Sequence, residues 1–292
     1  MKKRLLCLAL CLALVPAAVL ADAPASFFDD AEAQKIGRIT RTYDSPTLKF
    51  TMDRFLFDKE ICYLTRVWVQ EPDRQIRKAT SDWHKNVKAP SEIVKKIEGA
   101  ALAINGSGFV SPLYPWIPEN YPGKNKDYYY TPLGSLTVTD GEVFRNLEGV
   151  PYYGLTLDGD GLQMYVDADN GDVLATNPLQ TWSFYVGCPM LRGNEDILPA
   201  EWDFADRRAA RTIIGRVDRN NYLILTVTKD RGKGISLRSA SAFFREHFET
   251  EWVYDLDGGP SYALMGRKKR DGKIAKFSMG GARIVDIMAF TE

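Results

Sequence analysis

Histidine is almost missing from this 292-residue chain, which holds only His84 and His247. Cysteine is scarce too: Cys7, Cys11, Cys62 and Cys188, with no pair at CxxC spacing. Zinc sites of the Cys/His kind need several such residues at close spacing. Both shortages argue against one, and chemistry without a metal or other cofactor is the expectation. An excess of charge is also lacking, because 38 Lys and Arg balance 38 Asp and Glu. Nothing in that balance points to nucleic acid as a partner, and a sugar or a small anionic ligand is easier to accommodate. The apolar run from Leu5 to Leu20 is shorter than the roughly 20 residues a spanning helix needs, and Pro16 interrupts it. No membrane span is expected in the mature protein.

That run is instead the centre of a secretory signal. Lys2, Lys3 and Arg4 precede it and Val19-Leu20-Ala21 gives a small-residue exit, so residues 1–21 are expected to be cleaved after Ala21. The protein is then secreted, or periplasmic and associated with the cell envelope. Leu10 before Cys11 is not small, which argues against a lipid-modified cysteine. Cys62 and Cys188 remain, either as one disulfide, which export permits, or as two buried thiols. The roughly 270 residues left can bury a substantial core as one large domain or two intimate lobes.

Apolar, β-branched and aromatic residues are dense from Thr47 to Phe57 and from Ile61 to Gln70, which predicts two strands. Pro90 and Ser91 introduce a short helix with Ile93, Val94 and Ile97 on one face and Gly99 to end it. Ala100 to Ile104 follows as a buried strand that delivers Asn105-Gly106-Ser107-Gly108-Phe109. Residues 111–132, rich in Pro, Tyr, Trp and Gly, are expected to form an ordered surface loop or lid in preference to a linker, with aromatics that pack on the body in preference to a sugar. Hairpins are expected at Thr139-Asp140-Gly141-Glu142 and at Asp169-Asn170-Gly171-Asp172. Such turns also explain Asp158, Asp160 and Asp167 better than a calcium loop, since the glycine spacing is wrong for an EF-hand.

The last third reads as a hairpin, a helix and a strand. Thr212 to Val217 and Asn221 to Thr228 turn at Arg219-Asn220-Asn221. A helix capped by Ser236 or Ser239 carries Leu237, Ala240, Phe244 and Phe248, with His247 in a structural role. Trp252 to Leu256 then runs into Asp257-Gly258-Gly259. A carboxylate at a strand end beside two glycines suits an anionic or hydroxyl-rich ligand, although the same tripeptide also serves as a plain β-turn. The basic run Arg267-Lys268-Lys269-Arg270 reads as a solvated hairpin tip.

Five motifs in order resemble the phosphodiester glycosidase family across about residues 90 to 290. They are Ala103-Ile104-Asn105-Gly106-Ser107-Gly108-Phe109, Gly187-Cys188-Pro189-Met190-Leu191, Ala210-Arg211-Thr212-Ile213-Ile214-Gly215, Asp255-Leu256-Asp257-Gly258-Gly259-Pro260-Ser261-Tyr262, and Ala282-Arg283-Ile284-Val285. The departures are Pro260 for a glycine, Tyr262 for a serine, Ala210 for a proline and Ala282 for a glutamate.

The resemblance implies an α+β fold of mixed β-sheets with a few packed helices. Residues 22–89 would be a β-rich N-terminal part of the same domain, and 90–292 the family-like part. It also implies hydrolysis of a sugar-1-phosphodiester in an envelope or extracellular glycan. Asp257 would stabilise or attack the anomeric carbon, with Arg211 as its catalytic partner on the phosphate. Asn105, Gly106, Thr212, Gly258, Gly259, Ser261 and Arg283 would bind substrate, the guanidiniums pairing with phosphate oxygens. Asp255 and Asp286 are second-choice carboxylates. The alternative is a glycan-binding protein that keeps the fold without turnover.

Overall fold

The computed structural model describes residues 36–109, 111, 128–183, 188–269 and 272–292. The expected leader at 1–21, most of the aromatic loop at 111–132, Gly187 and Arg270 lie outside them. Every strand pairing among the described residues is antiparallel. Together with a few short helices this gives the expected α+β class.

The largest sheet has eight strands. In spatial order they are β1 (Arg38–Asp44), β2 (Leu48–Phe57), β3 (Glu60–Val69), β14 (Asn221–Val227), β13 (Arg211–Arg216), β15 (Trp252–Asp255), β11 (Pro189–Arg192) and β12 (Glu195–Asp196). Its central strands lack polar alternation because both faces are covered. Along β14, Tyr222 and Ile224 join the central core, while Leu223, Leu225 and Val227 join a second core under the helix Leu237–His247. Ser236 caps that helix by accepting the Ser239 N–H at 3.0 Å. Phe248 stands at its C-terminal end in extended backbone. His247 packs on the Phe243 ring, centroids 4.9 Å apart. The β13–β14 turn is organised by Asp218, whose carboxylate accepts from the backbone N–H groups of Asn220 and Asn221 at 2.8 and 3.0 Å.

A five-stranded sheet lies across the central core: β17 (Ile274–Met279), β16 (Ala263–Arg267), β5 (Ala100–Asn105), β18 (Asp286–Thr291) and β4 (Ile76–Thr80). Leu102 and Ile104 of β5 face the central core, and Ala100 and Ala103 face a third cluster with Ile93 and Val94 of the short helical turn. The other five-stranded sheet orders β7 (Glu142–Asn146), β6 (Leu136–Thr139), β10 (Gln180–Ser183), β8 (Tyr152–Asp158) and β9 (Gly161–Ala168). β3 pairs with β14 and β4 with β18, so the first strands are laid into sheets completed by later ones.

One turn differs from expectation. Asp169 to Asp172 does not form a hairpin but opens the helix Asn170–Ala175, where the Asp169 carboxylate accepts the Gly171 N–H at 2.7 Å. An Asp side chain satisfies a helix's free N–H as readily as a turn's. The neighbouring hairpin lies between β8 and β9, with Asp158 accepting the Asp160 N–H at 2.8 Å. Cys62 and Cys188 are free and buried, one in the core under the long helix and the other in the central core. Burial pushes the Cys62 thiol up to about 12.

Candidate active site

Five strand ends meet between the eight-stranded sheet and the sheet of β5. β5 finishes at Asn105, β15 at Asp255, β13 starts at Arg211, β16 at Ala263 and β18 at Asp286. Asn105 is the joint. Its amide nitrogen donates to the Asp257 carbonyl at 2.6 Å, and its oxygen accepts from the Thr212 hydroxyl at 2.7 Å and the Ala263 N–H at 2.9 Å. The Asp257 N–H in turn donates to the Gly106 carbonyl at 3.1 Å. Asn105 and Thr212 are fully buried, so both position Asp257, with their polar atoms bonded to the protein's own strand ends.

Asp257 follows β15 after the single residue Leu256. Its carboxylate accepts the Gly258 N–H at 2.9 Å and bonds the Ser261 side chain. Gly259, at φ +57°, donates its N–H to the Ala210 carbonyl at 2.8 Å, and the Ser261 N–H closes on the Gly258 carbonyl at 3.0 Å. Pro260 fits this short 3-10 turn, Gly259–Ser261, because its fixed φ suits the start of a helix. Its carbonyl accepts the Ala282 N–H at 3.0 Å.

Two further carboxylates stand behind Asp257. Asp255 is fully buried and accepts from Arg211 at 3.1 Å. Asp286 is fully buried too, with Lys78 Nζ at 3.3 Å and the Ser107 N–H at 2.6 Å. A side chain at position 106 would collide with the Asp286 carboxylate and lie 2.8 Å from Trp182, so glycine there permits this approach. Asp257 alone of the three retains exposure, at 9%. Burial pushes its carboxyl up to about 7; the Ser261 and Gly258 hydrogen bonds oppose that, and the negative charges of Asp255 and Asp286 add to it. Burial likewise pushes Asp255 up to about 7 against the pull of Arg211. A carboxyl poised near neutrality beside like charges is the arrangement expected of acid–base or nucleophilic chemistry.

The two arginines expected on phosphate are engaged elsewhere. Arg211 is 1% exposed and gives its guanidinium to Asp255 and to the carbonyls of Arg207 (2.8 Å) and Ile235 (3.5 Å). Arg283 is turned to the surface, donating to the Val87 carbonyl at 2.9 Å with Glu92 at 3.7 Å. The structure therefore gathers Asn105, Gly106, Thr212, Gly258, Gly259 and Ser261 around Asp257, places Arg211 behind it, and leaves the Arg283 side chain apart.

Sequence reasoning missed Lys78. It is fully buried, donates to the Thr181 carbonyl at 2.6 Å and lies 5.3 and 5.7 Å from the Trp83 and Trp182 ring centroids. Burial pulls its pKa down and Asp286 opposes the shift. A lysine within Ile76–Thr80 gives no local signal of this. Two open grooves of about 600 and 540 Å³ lie elsewhere, beside Asp158 and Gln163 and beside Glu148 and Asp169. They are surface clefts, one at the β8–β9 hairpin and one at the start of the helix Asn170–Ala175, and neither is lined by Asp257.

The chain belongs to the phosphodiester glycosidase family, whose profile matches residues 98–286. The match includes Asn105, Arg211, Asp257 and Asp286 and leaves out Lys78. Among solved structures, the chain is similar to the zebrafish N-acetylglucosamine-1-phosphodiester α-N-acetylglucosaminidase catalytic domain auto-inhibited by its pro-peptide. The identity is 18%, 85% of each chain is covered and the TM-score is 0.62. It is also similar to a Synechocystis protein at 13% identity, covering 93% of this chain and 65% of that one, with a TM-score of 0.59. At these identities the likeness is one of fold. No curated protein matches the chain by sequence.

Proposed function

We propose that the protein is an exported hydrolase that cleaves a sugar-1-phosphodiester in an envelope or extracellular glycan. The observation that carries this is Asp257, the one partly exposed carboxyl in a cluster of three, held at a strand end by Asn105 and Gly106. In the reaction the bond between the anomeric carbon and the phosphate oxygen breaks, and the phosphate leaves with both electrons as a monoester. Water supplies hydroxyl to the anomeric carbon and its proton to the solvent or the leaving phosphate. Asp257 acts as the carboxylate that faces the positive charge developing at that carbon. Ser261 orients the carboxylate, and the Gly258-Gly259 backbone allows close approach. Arg211 contributes from behind by countering Asp255. Residues 22–89 belong to the same domain, and residues 1–21 direct export.

The test is release of free sugar and phosphomonoester from a panel of sugar-1-phosphodiesters, comparing the wild type with Asp257→Asn. Release that depends on Asp257 is expected, and its absence across the panel counts against the proposal. Recovery of a chain beginning at Asp22 from the cell exterior or periplasm tests export. The alternative, glycan binding without turnover, is favoured by Pro260, which lacks an amide donor, and by the engagement of both Arg211 and Arg283 away from the turn. Saturable sugar-phosphate binding with no cleavage would support that alternative.

A further inference from the structure

Two segments beside the Gly258-Gly259 turn are rich in cations. Arg207 and Arg208 precede Ala209, and Lys229, Arg231 and Lys233 precede Gly234. Ala209 and Ile235 form an antiparallel bridge with both N–H···O bonds made, at 3.0 and 2.9 Å, so the segments run side by side. Gly234 sits at φ +81°, where a Cβ would collide with the Ala209 carbonyl, so a glycine is what lets the loop lie this close. The next residue, Ala210, takes the Gly259 N–H, which ties this basic edge to the turn carrying Asp257. Burial raises the Tyr262 phenol, and the negative charge of Asp230 adds to that shift, so the loop at 229–233 is within electrostatic reach of the residue that follows Ser261.

Arg208 pairs with Asp58. Arg207, Lys229, Arg231 and Lys233 are exposed and make no ion pair among the described residues. Asp230 is the one acid in the loop itself. The buried Glu60 carboxylate also faces the loop, accepting the Gly234 N–H at 2.9 Å; against these two acids, in a chain whose charges balance to zero, the four cations remain a local excess on segments tied by backbone bonds to the turn that carries Asp257. A single phosphodiester carries one negative charge, and one or two cations suffice for it. Four cations along one edge match a ligand whose charge repeats, and they would concentrate it near the site.

We propose that this edge is a binding site for a phosphate-bearing polysaccharide chain, with successive phosphodiesters along Arg207, Lys229, Arg231 and Lys233 while one sugar-phosphate linkage reaches Asp257. The last clause rests on the hydrolase function proposed above; the binding does not. The basic run noticed in the sequence is a different place. Arg267 lies at the far end of β16 from Ala263, about 13 Å along the strand, and pairs with Glu292 at 3.2 Å. Lys268 and Lys269 there serve as a control.

Fluorescence anisotropy of the purified protein with labelled long-chain inorganic polyphosphate tests the site. Saturable binding is expected, weakening by at least about tenfold as NaCl rises from about 50 to about 500 mM. A loss of about tenfold or more is expected in the variant Arg207→Gln/Lys229→Gln/Arg231→Gln/Lys233→Gln, and about threefold or more in Arg231→Gln/Lys233→Gln, which alters one surface loop only. Lys268→Gln/Lys269→Gln should bind as the wild type does. Absence of binding, an equal loss in the Lys268/Lys269 variant, or tighter binding of a uridine homopolymer than of polyphosphate with the same number of phosphates overturns the proposal. If the four-site variant loses binding while Asp257→Asn leaves hydrolysis unchanged, the edge stands and the role given to Asp257 fails.

Discussion

The side-chain amide of Asn105 donates to the main-chain carbonyl of Asp257 at 2.6 Å, across 152 residues of sequence. That bond sets where the chain leaves β15, and thus where the Asp257 carboxyl points. The same amide oxygen holds Thr212 and Ala263. One side chain therefore fixes the turn to both sheets that flank it.

Asn105→Ala should be costly for that reason. It leaves the Asp257 carbonyl, the Thr212 hydroxyl and the Ala263 N–H to find new partners in a buried place, and each unsatisfied group costs about 1–3 kcal/mol. Thr212→Val removes one bond and keeps the shape. Urea unfolding should show a loss of roughly 3 kcal/mol or more for the first and about 1 kcal/mol for the second. Equal, small losses in both would deny Asn105 its role as the joint.

Asp255 and Asp257 also set a pH dependence of stability. Both carboxyls are raised from the ordinary 3.8 to about 7 in the folded chain. Between those values the folded state keeps protons that the unfolded chain releases. Stability contributed by the protonated forms is therefore present at low pH, falls as pH rises from about 4 towards about 7, and levels off above. Asp257→Asn removes one of the two groups and should flatten the slope by up to about 1.4 kcal/mol per pH unit. Denaturant midpoints across this range measure it, and an unchanged slope would mean that Asp257 titrates normally. Turnover should show the other side of the same titration: a carboxylate facing the anomeric carbon works when ionised, so activity should fall as pH drops below about 7.

Much of this site was legible because its elements are local. The strands around Thr47–Phe57 and Ile61–Gln70, the β13–β14 hairpin and the Ser236 cap follow from residues that touch neighbours in sequence. Asp257 stands out as a candidate through the company of the other motifs in the family resemblance, since a strand, a carboxylate and two glycines in a row also make a plain β-turn. The directions of the arginines could not be found in this way. Arg211 turns to Asp255, 44 residues later, and Arg283 to Val87, 196 residues earlier; a guanidinium suited to phosphate is equally suited to a carboxylate or a carbonyl. Asp169 shows the same limit on a smaller scale, since one side-chain oxygen caps a helix or closes a turn with the same chemistry.

The pair Arg211–Asp255 should behave as a buried pair whose members need each other. Arg211→Met leaves Asp255 buried without its cation and should cost about 3–5 kcal/mol. Adding Asp255→Leu removes the stranded carboxyl, so the double variant should be more stable than Arg211→Met alone. A double-mutant cycle by chemical unfolding checks this, and strictly additive losses would show that the 3.1 Å contact couples nothing.

Lys78 offers the last test, because it reaches Asp257 only through other groups. Its ammonium stands 3.3 Å from Asp286, and Asp286 holds the Ser107 N–H while Gly106 holds the N–H of Asp257. With Lys78 replaced by Met, the negative charge of Asp286 acts on Asp257 without its counter-charge, and the Asp257 carboxyl should titrate higher still. The acid limb of the turnover profile should then move to higher pH. Asp286→Asn removes that charge, and the limb should move to lower pH. A merely structural role would lower stability or turnover in both variants without moving the limb in opposite directions. Profiles that shift the same way, or not at all, would therefore remove Lys78 and Asp286 from the electrostatics of the site and leave them as packing between β4 and β18.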